Sequence, residues 1–170
     1  MPSGVCSADR VRNFLSGSRS IGDIDRGVTE ISTRVCVVPV AIDREGRVLL
    51  VKMARNRGVF PGQWALPGGG VEPGERILDA LAREVREELG IELASAEPLL
   101  FKDAVVEKVR ADGSRTTMHA VFLVYRCVPG SYAITINEEF SEYGWFDRTQ
   151  LAAIELPEMT AETLRSAGLL

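Results

Sequence analysis

The chain has 170 residues, 45% of them apolar and 26% charged, which suits one folded domain and excludes wholesale disorder. A formal net charge of −4 offers no bulk attraction to nucleic acid or to an anionic membrane. The longest apolar stretch, Val35 to Ile42, is too short to span a bilayer, and the single histidine, His119, excludes every site that needs two imidazoles.

Residues 1–30 lack the basic start and apolar block of a secretory signal. Ser7 to Leu15 predicts a short helix capped by Ser7, and Ser16 to Gly22 reads as linker. The segment is therefore expected to be an extension ahead of one domain over residues 31–170. The three cysteines, Cys6, Cys36 and Cys127, are widely separated and form no CxxC pair. They indicate neither a disulfide framework nor a zinc knuckle, and a cytoplasmic location is expected.

From Ile31 onward strand signals dominate. Thr33 to Ile42 and Val48 to Met53 read as two strands joined as a hairpin by the turn Asp43-Arg-Glu-Gly46. Gly58 to Gly74 is loop-like, rich in glycine and proline around apolar anchors such as Phe60 and Trp64. Arg76 to Leu89 reads as a helix closed by Gly90. Pro98 to Arg110 and Thr116 to Cys127 predict two long strands about the Asp112-Gly113 turn. Tyr143 to Phe146 reads as a short strand, and Thr149 to Ile154 and Thr160 to Ser166 as small helices. The expected class is α/β, with a mixed sheet and one strong central helix.

That helix carries the clearest chemistry. At roughly 100° per residue, Leu78, Leu81, Val85 and Leu89 form one stripe that should face the core. Glu84, Glu87 and Glu88 fall on an adjoining face. Like charges at this spacing repel, and the C-terminal end of a helix disfavours anions, so local stability does not explain them. A solvated face neutralised by Arg83 and Arg86 is the plain explanation of such a cluster. Here a glycine loop, Gly68-Gly69-Gly70, leads into the same helix, and together they suit a hard divalent cation such as Mg²⁺.

The spacing Gly69-x5-Glu75-x7-Arg83-Glu84-Val85-x-Glu87-Glu88-x-Gly90-Ile91 resembles a complete Nudix box. The runs Lys52-Met-Ala54, Arg57 to Leu66, Gly68 to Ile77, Ile136 to Phe140 and Gly168-Leu-Leu170 resemble the NudI-type nucleoside triphosphatases of that family. The resemblance implies a Nudix fold, an α-β-α sandwich around a mixed sheet. It implies Mg²⁺-dependent conversion of pyrimidine deoxynucleoside triphosphates (dUTP, dTTP, dCTP) to monophosphate and pyrophosphate, with Mn²⁺ as a substitute ion. Glu84, Glu87 and Glu88 would be the metal carboxylates, with the carbonyl of Gly68 as a further ligand. Arg83 would orient a box carboxylate, and Glu75 would support the site from the first helical turn. Proton transfer would fall to Glu87 or to Glu139, the latter favoured by its spacing to Trp145, with Glu138 as its neighbouring competitor.

Candidate substrate contacts are Arg55, Arg57 and Lys52 for phosphates, and Phe60, Phe140, Trp64 and Tyr143 for a base. His119 and Cys127 read as packed or structural residues. The expected partner is a small nucleotide, with no nucleic acid and no membrane, and a homodimer is left open. Other readings are a Nudix hydrolase of oxidised purine triphosphates, dinucleotides or ADP-ribose, or a nucleotide-binding module without turnover.

Overall fold

A computed structural model describes residues 31–56, 59–109 and 115–170. The predicted N-terminal extension, Arg57 and the Asp112-Gly113 turn lie outside these residues. The described chain forms β1 (Ile31–Ala41), β2 (Val48–Met53), β3 (Trp64–Ala65), β4 (Gly69–Gly70), helix α1 (Ile77–Leu89), β5 (Leu93–Val109), β6 (Arg115–Pro129), β7 (Phe140–Phe146), α2 (Arg148–Ala153) and α3 (Glu158–Ser166). No described helix is long and apolar enough to cross a membrane.

Two sheets result. One is mixed, in the order β4-β1-β6-β5, and the other is antiparallel, in the order β3-β2-β7. The expected β1–β2 hairpin does not form as a paired ladder. Its turn is present: the Asp43 carboxylate accepts from the amides of Glu45 and Arg47 and from Arg47 Nε at 2.6 Å. Beyond the single bridge Ile42–Val48 the strands part. β1 runs parallel to β6 along its whole length, while β2 pairs with β7. The physical reason is that β1 from Val37 to Ala41 and β2 from Val48 to Val51 are apolar on both faces, so each fits the interior of a sheet with cover on both sides. Pro39 is tolerated in β1 because β4 reaches only Cys36 and Val37 on that edge.

Burial follows the alternation of the strands. Val37 packs with Ala80, Leu81 and Cys127 beneath α1. Val40, Val48, Leu50 and Val124 pack with Leu151 and Leu164 beneath α2 and α3. A third cluster joins the second sheet to α1 through Leu49, Val51, Val85, Leu89 and Phe140. Helices thus cover opposite faces, which is the expected α-β-α sandwich. One element of the predicted helix stripe is corrected: Leu78 is 56% exposed, and Ala80 takes the buried place instead, packed with Val37 and Leu81.

Candidate active site

The site is built where β4 runs into α1. Arg76 precedes the helix in extended backbone, and Gly90 ends it in left-handed conformation. Within α1, Glu84 and Glu88 are one turn apart and both are buried, at 9% and 6% exposure, on the face shared with Leu81 and Val85. Glu87 stands beside them on the exposed side. The three carboxylates therefore divide into two inside and one outside, where the sequence periodicity indicated one common face.

The glycine loop is fitted to these carboxylates. Gly68 has φ +132°, open to glycine and rarely to other residues, and its amide donates to Glu88 Oε2 at 2.7 Å. A Cβ built on Gly69 would run into the Glu84 carboxylate. Arg83 ties loop and helix together. It grips Glu75 through two bonds of 2.8 and 3.0 Å, and Nη1 reaches Glu84 at 2.9 Å and Glu87 at 3.1 Å. Its Nη2 also donates to the Gly70 carbonyl at 3.0 Å. Glu75 in turn accepts from the Glu72 amide, closing the loop.

Electrostatics sort the carboxyls. The Arg83 hydrogen bonds hold Glu75 down at about 2. Burial pushes Glu84 up, against the opposing Arg83 contacts. Burial pushes Glu88 up to about 8; the Gly68 amide opposes this, and the charges of Glu84, Glu139 and Glu87 add to it. Among the described residues, no three acidic, histidine or cysteine side chains already stand gathered as a metal cage. The donor chemistry nevertheless fits a hard divalent cation: two buried carboxylates with few donors of their own, two more charges near, and oxygen atoms throughout.

A second segment approaches from the far side. Thr135 donates to the Leu89 carbonyl at 2.9 Å and Asn137 to the Glu88 carbonyl at 3.3 Å, so the irregular segment leading to β7 is hung on the end of α1. The Asn137 side chain accepts from the Glu139 amide, and the Glu139 carbonyl accepts from Ala54. This brings the Glu139 charge to bear on both Glu84 and Glu88. Asn137 lies in the run Ile136 to Phe140 that carries the resemblance, but its part in shaping the loop is visible only in the structure.

The remaining candidates scatter. Arg55 is exposed, with its stem near Gly62. Lys52 is paired with Glu142 at 3.0 Å and stands over the Trp64 ring. Phe60 is half-buried, its amide against Met53 Sδ, and Tyr143 is exposed on β7. Trp64 meets Phe146 edge-on in the core. Phe140 is 7% exposed and packs in the core with Leu49, Val51 and Leu89. His119, the single histidine of the chain, pairs with Asp103 at 2.9 Å. Cys127 is fully buried, its thiol pushed up to about 12 by burial, as its packing role requires.

Comparison with known proteins agrees with this arrangement. The NUDIX domain profile matches residues 32–166. The nucleoside triphosphatase NudI of Escherichia fergusonii is 50% identical over 139 residues, covering 81% of this chain and 98% of that protein. The NudI protein of Salmonella agona is 49% identical over the same share. Among solved structures, the MutT NUDIX hydrolase of Burkholderia pseudomallei superimposes with a TM-score of 0.60 at 33% identity, over 79% of this chain and 97% of that one.

Proposed function

This chain belongs to the NUDIX domain family and is a hydrolase of that family; on that premise we propose that it converts nucleoside triphosphates, pyrimidine deoxynucleotides foremost, to monophosphate and pyrophosphate. The observation that carries the chemistry is the buried pair Glu84 and Glu88, locked against the glycine loop at the N-terminal approach to α1. The substrate class is supported by relatives about half identical that are named nucleoside triphosphatases.

In this reading Glu84, Glu87, Glu88 and the Gly68 carbonyl hold a divalent cation, Mg²⁺ by expectation and Mn²⁺ as its substitute. The bound ion supplies charge neutralisation at the phosphates and activation of water. Arg83 holds Glu84 and Glu87 in place from one guanidinium, anchored by Glu75. Glu139 takes the proton of the attacking water as its oxygen bonds to the α-phosphorus. The bond from that phosphorus to the β-phosphate oxygen breaks, and pyrophosphate leaves. Arg55 and Phe60 remain candidate contacts to phosphate and base, with Arg57 alongside by sequence. The substrate is a free nucleotide rather than a nucleic acid, in keeping with the net charge of −4, and a cytoplasmic setting accords with the free Cys36 and Cys127.

The test is to incubate the protein with each common nucleotide and Mg²⁺ and separate the products. Monophosphate and pyrophosphate, formed fastest from dUTP, dTTP or dCTP, are expected. Diphosphate and orthophosphate would overturn the position of attack, and turnover confined to purines or dinucleotides would overturn the base preference. Glu88→Gln is expected to lower kcat at least about a hundredfold with an unchanged circular dichroism spectrum. Unaltered turnover at saturating Mg²⁺ would remove Glu88 from the ligand set.

A further inference from the structure

The cations around the site are largely engaged by carboxylates. Arg83 meets Glu75, Glu84 and Glu87, Arg86 meets Glu92, and Lys52 meets Glu142. Arg34 differs. It is exposed on β1, and among the described residues no carboxylate lies at bonding distance from it. The Nε–Nη2 edge of its guanidinium faces Gly70: a Cβ built there would collide with Nε and Nη2 first and with Cζ behind them. Gly70 is opposite Cys36 in the β1–β4 register, and Arg34 shares the Cys36 face of its strand. Cys36 feels the charge of Arg34 as well as that of Glu84.

The glycine strand thus has a carboxylate across one side, at Gly69, and a guanidinium across the other, at Gly70. A polyphosphate bearing about four negative charges is repelled by the acidic side, and needs a cation not already neutralised by protein. A planar fork on a side-chain-free strand suits bidentate capture of phosphate oxygens. We propose that Arg34, set edge-on beside Gly70 where no side chain intervenes, is the binding residue for the outer phosphates of the substrate, the pair that leaves as pyrophosphate. This rests on the triphosphatase reading above. It assigns to β1 a contact that no motif of the sequence marks.

The experiment compares wild type, Arg34→Ala and Arg34→Lys, all with Mg²⁺ and all checked for unchanged melting temperature. For Arg34→Ala the KM of the best triphosphate should rise about tenfold or more, as expected for loss of a charge-assisted contact, with kcat changed less than about threefold. Inhibition by pyrophosphate should weaken in the same proportion, and inhibition by the monophosphate should not. Arg34→Lys, which keeps charge and loses the fork, should fall between. Unchanged pyrophosphate inhibition, or a loss of kcat at constant KM, overturns the assignment. Should wild type turn over no triphosphate, the triphosphatase reading fails, while calorimetric binding of pyrophosphate to wild type and Arg34→Ala still decides the role of Arg34.

Discussion

Arg83 is the residue on which the site is strung, since one guanidinium serves Glu75, Glu84, Glu87 and the Gly70 carbonyl. Its presence in the box is plain from the sequence; the number of its partners is not, because the loop must fold back before Glu75 and Gly70 come within reach. Glu75 has its carboxyl drawn from 4.5 to about 2, so its ion pair stabilises the fold above the ordinary carboxylate range and loses that effect as pH falls toward 2. Urea denaturation of Glu75→Gln should therefore show a deficit against wild type at pH 6 that shrinks between pH 4.5 and about 2. A deficit independent of pH would assign Glu75 a packing role. Gly69→Ala should displace the Glu84 carboxylate and cut turnover roughly tenfold or more, the order that small misplacements cost. Full activity in a folded variant would show that Glu84 can step aside without consequence.

At the scale of the element, α1 shows how periodicity informs and where it stops. The period of the helix identifies Leu81, Val85 and Leu89 as core residues, and they are buried. It assigns Leu78 the same stripe, but Val37 and Cys127 of β1 and β6 pack on Ala80 and Leu81, and what the sheet offers each turn is a property of the strands rather than of the helix. It also places the carboxylates to one side, whereas Glu84 and Glu88 enter the buried face because the side-chain-free loop leaves room for them. Leu81→Ala is expected to cost about 2–5 kcal/mol, by cavity formation in the core. Leu78→Ala should change stability by no more than about 0.5 kcal/mol, as for an ordinary surface position. Chemical denaturation of both variants checks the pair, and equal losses would mean that Leu78 is covered in solution.

Across the whole molecule, the sequence marks the three helices and the five longer strands, leaves β3 and β4 inside what reads as loop, and conceals which strands meet. Local patterning reports burial on two faces, and β1 satisfies it equally well beside β2 or beside β6. The choice is made by partners distant in the chain: Ile31 lies opposite Thr117 and Ala41 opposite Cys127. β5 and β6, by contrast, are neighbours in sequence and pair antiparallel from Leu93 to Val109. This difference sets an order of assembly. Closing a short loop costs less entropy than closing a long one, so the β5–β6 ribbon should form before β1 docks along it. Leu100→Ala is then expected to slow folding with a high φ-value, and Val40→Ala chiefly to speed unfolding. Stopped-flow kinetics showing the reverse would place the parallel pairing first. In the interval before docking, the edge of β6 that β1 later covers stays open to any other strand, and refolding yield should fall as protein concentration rises.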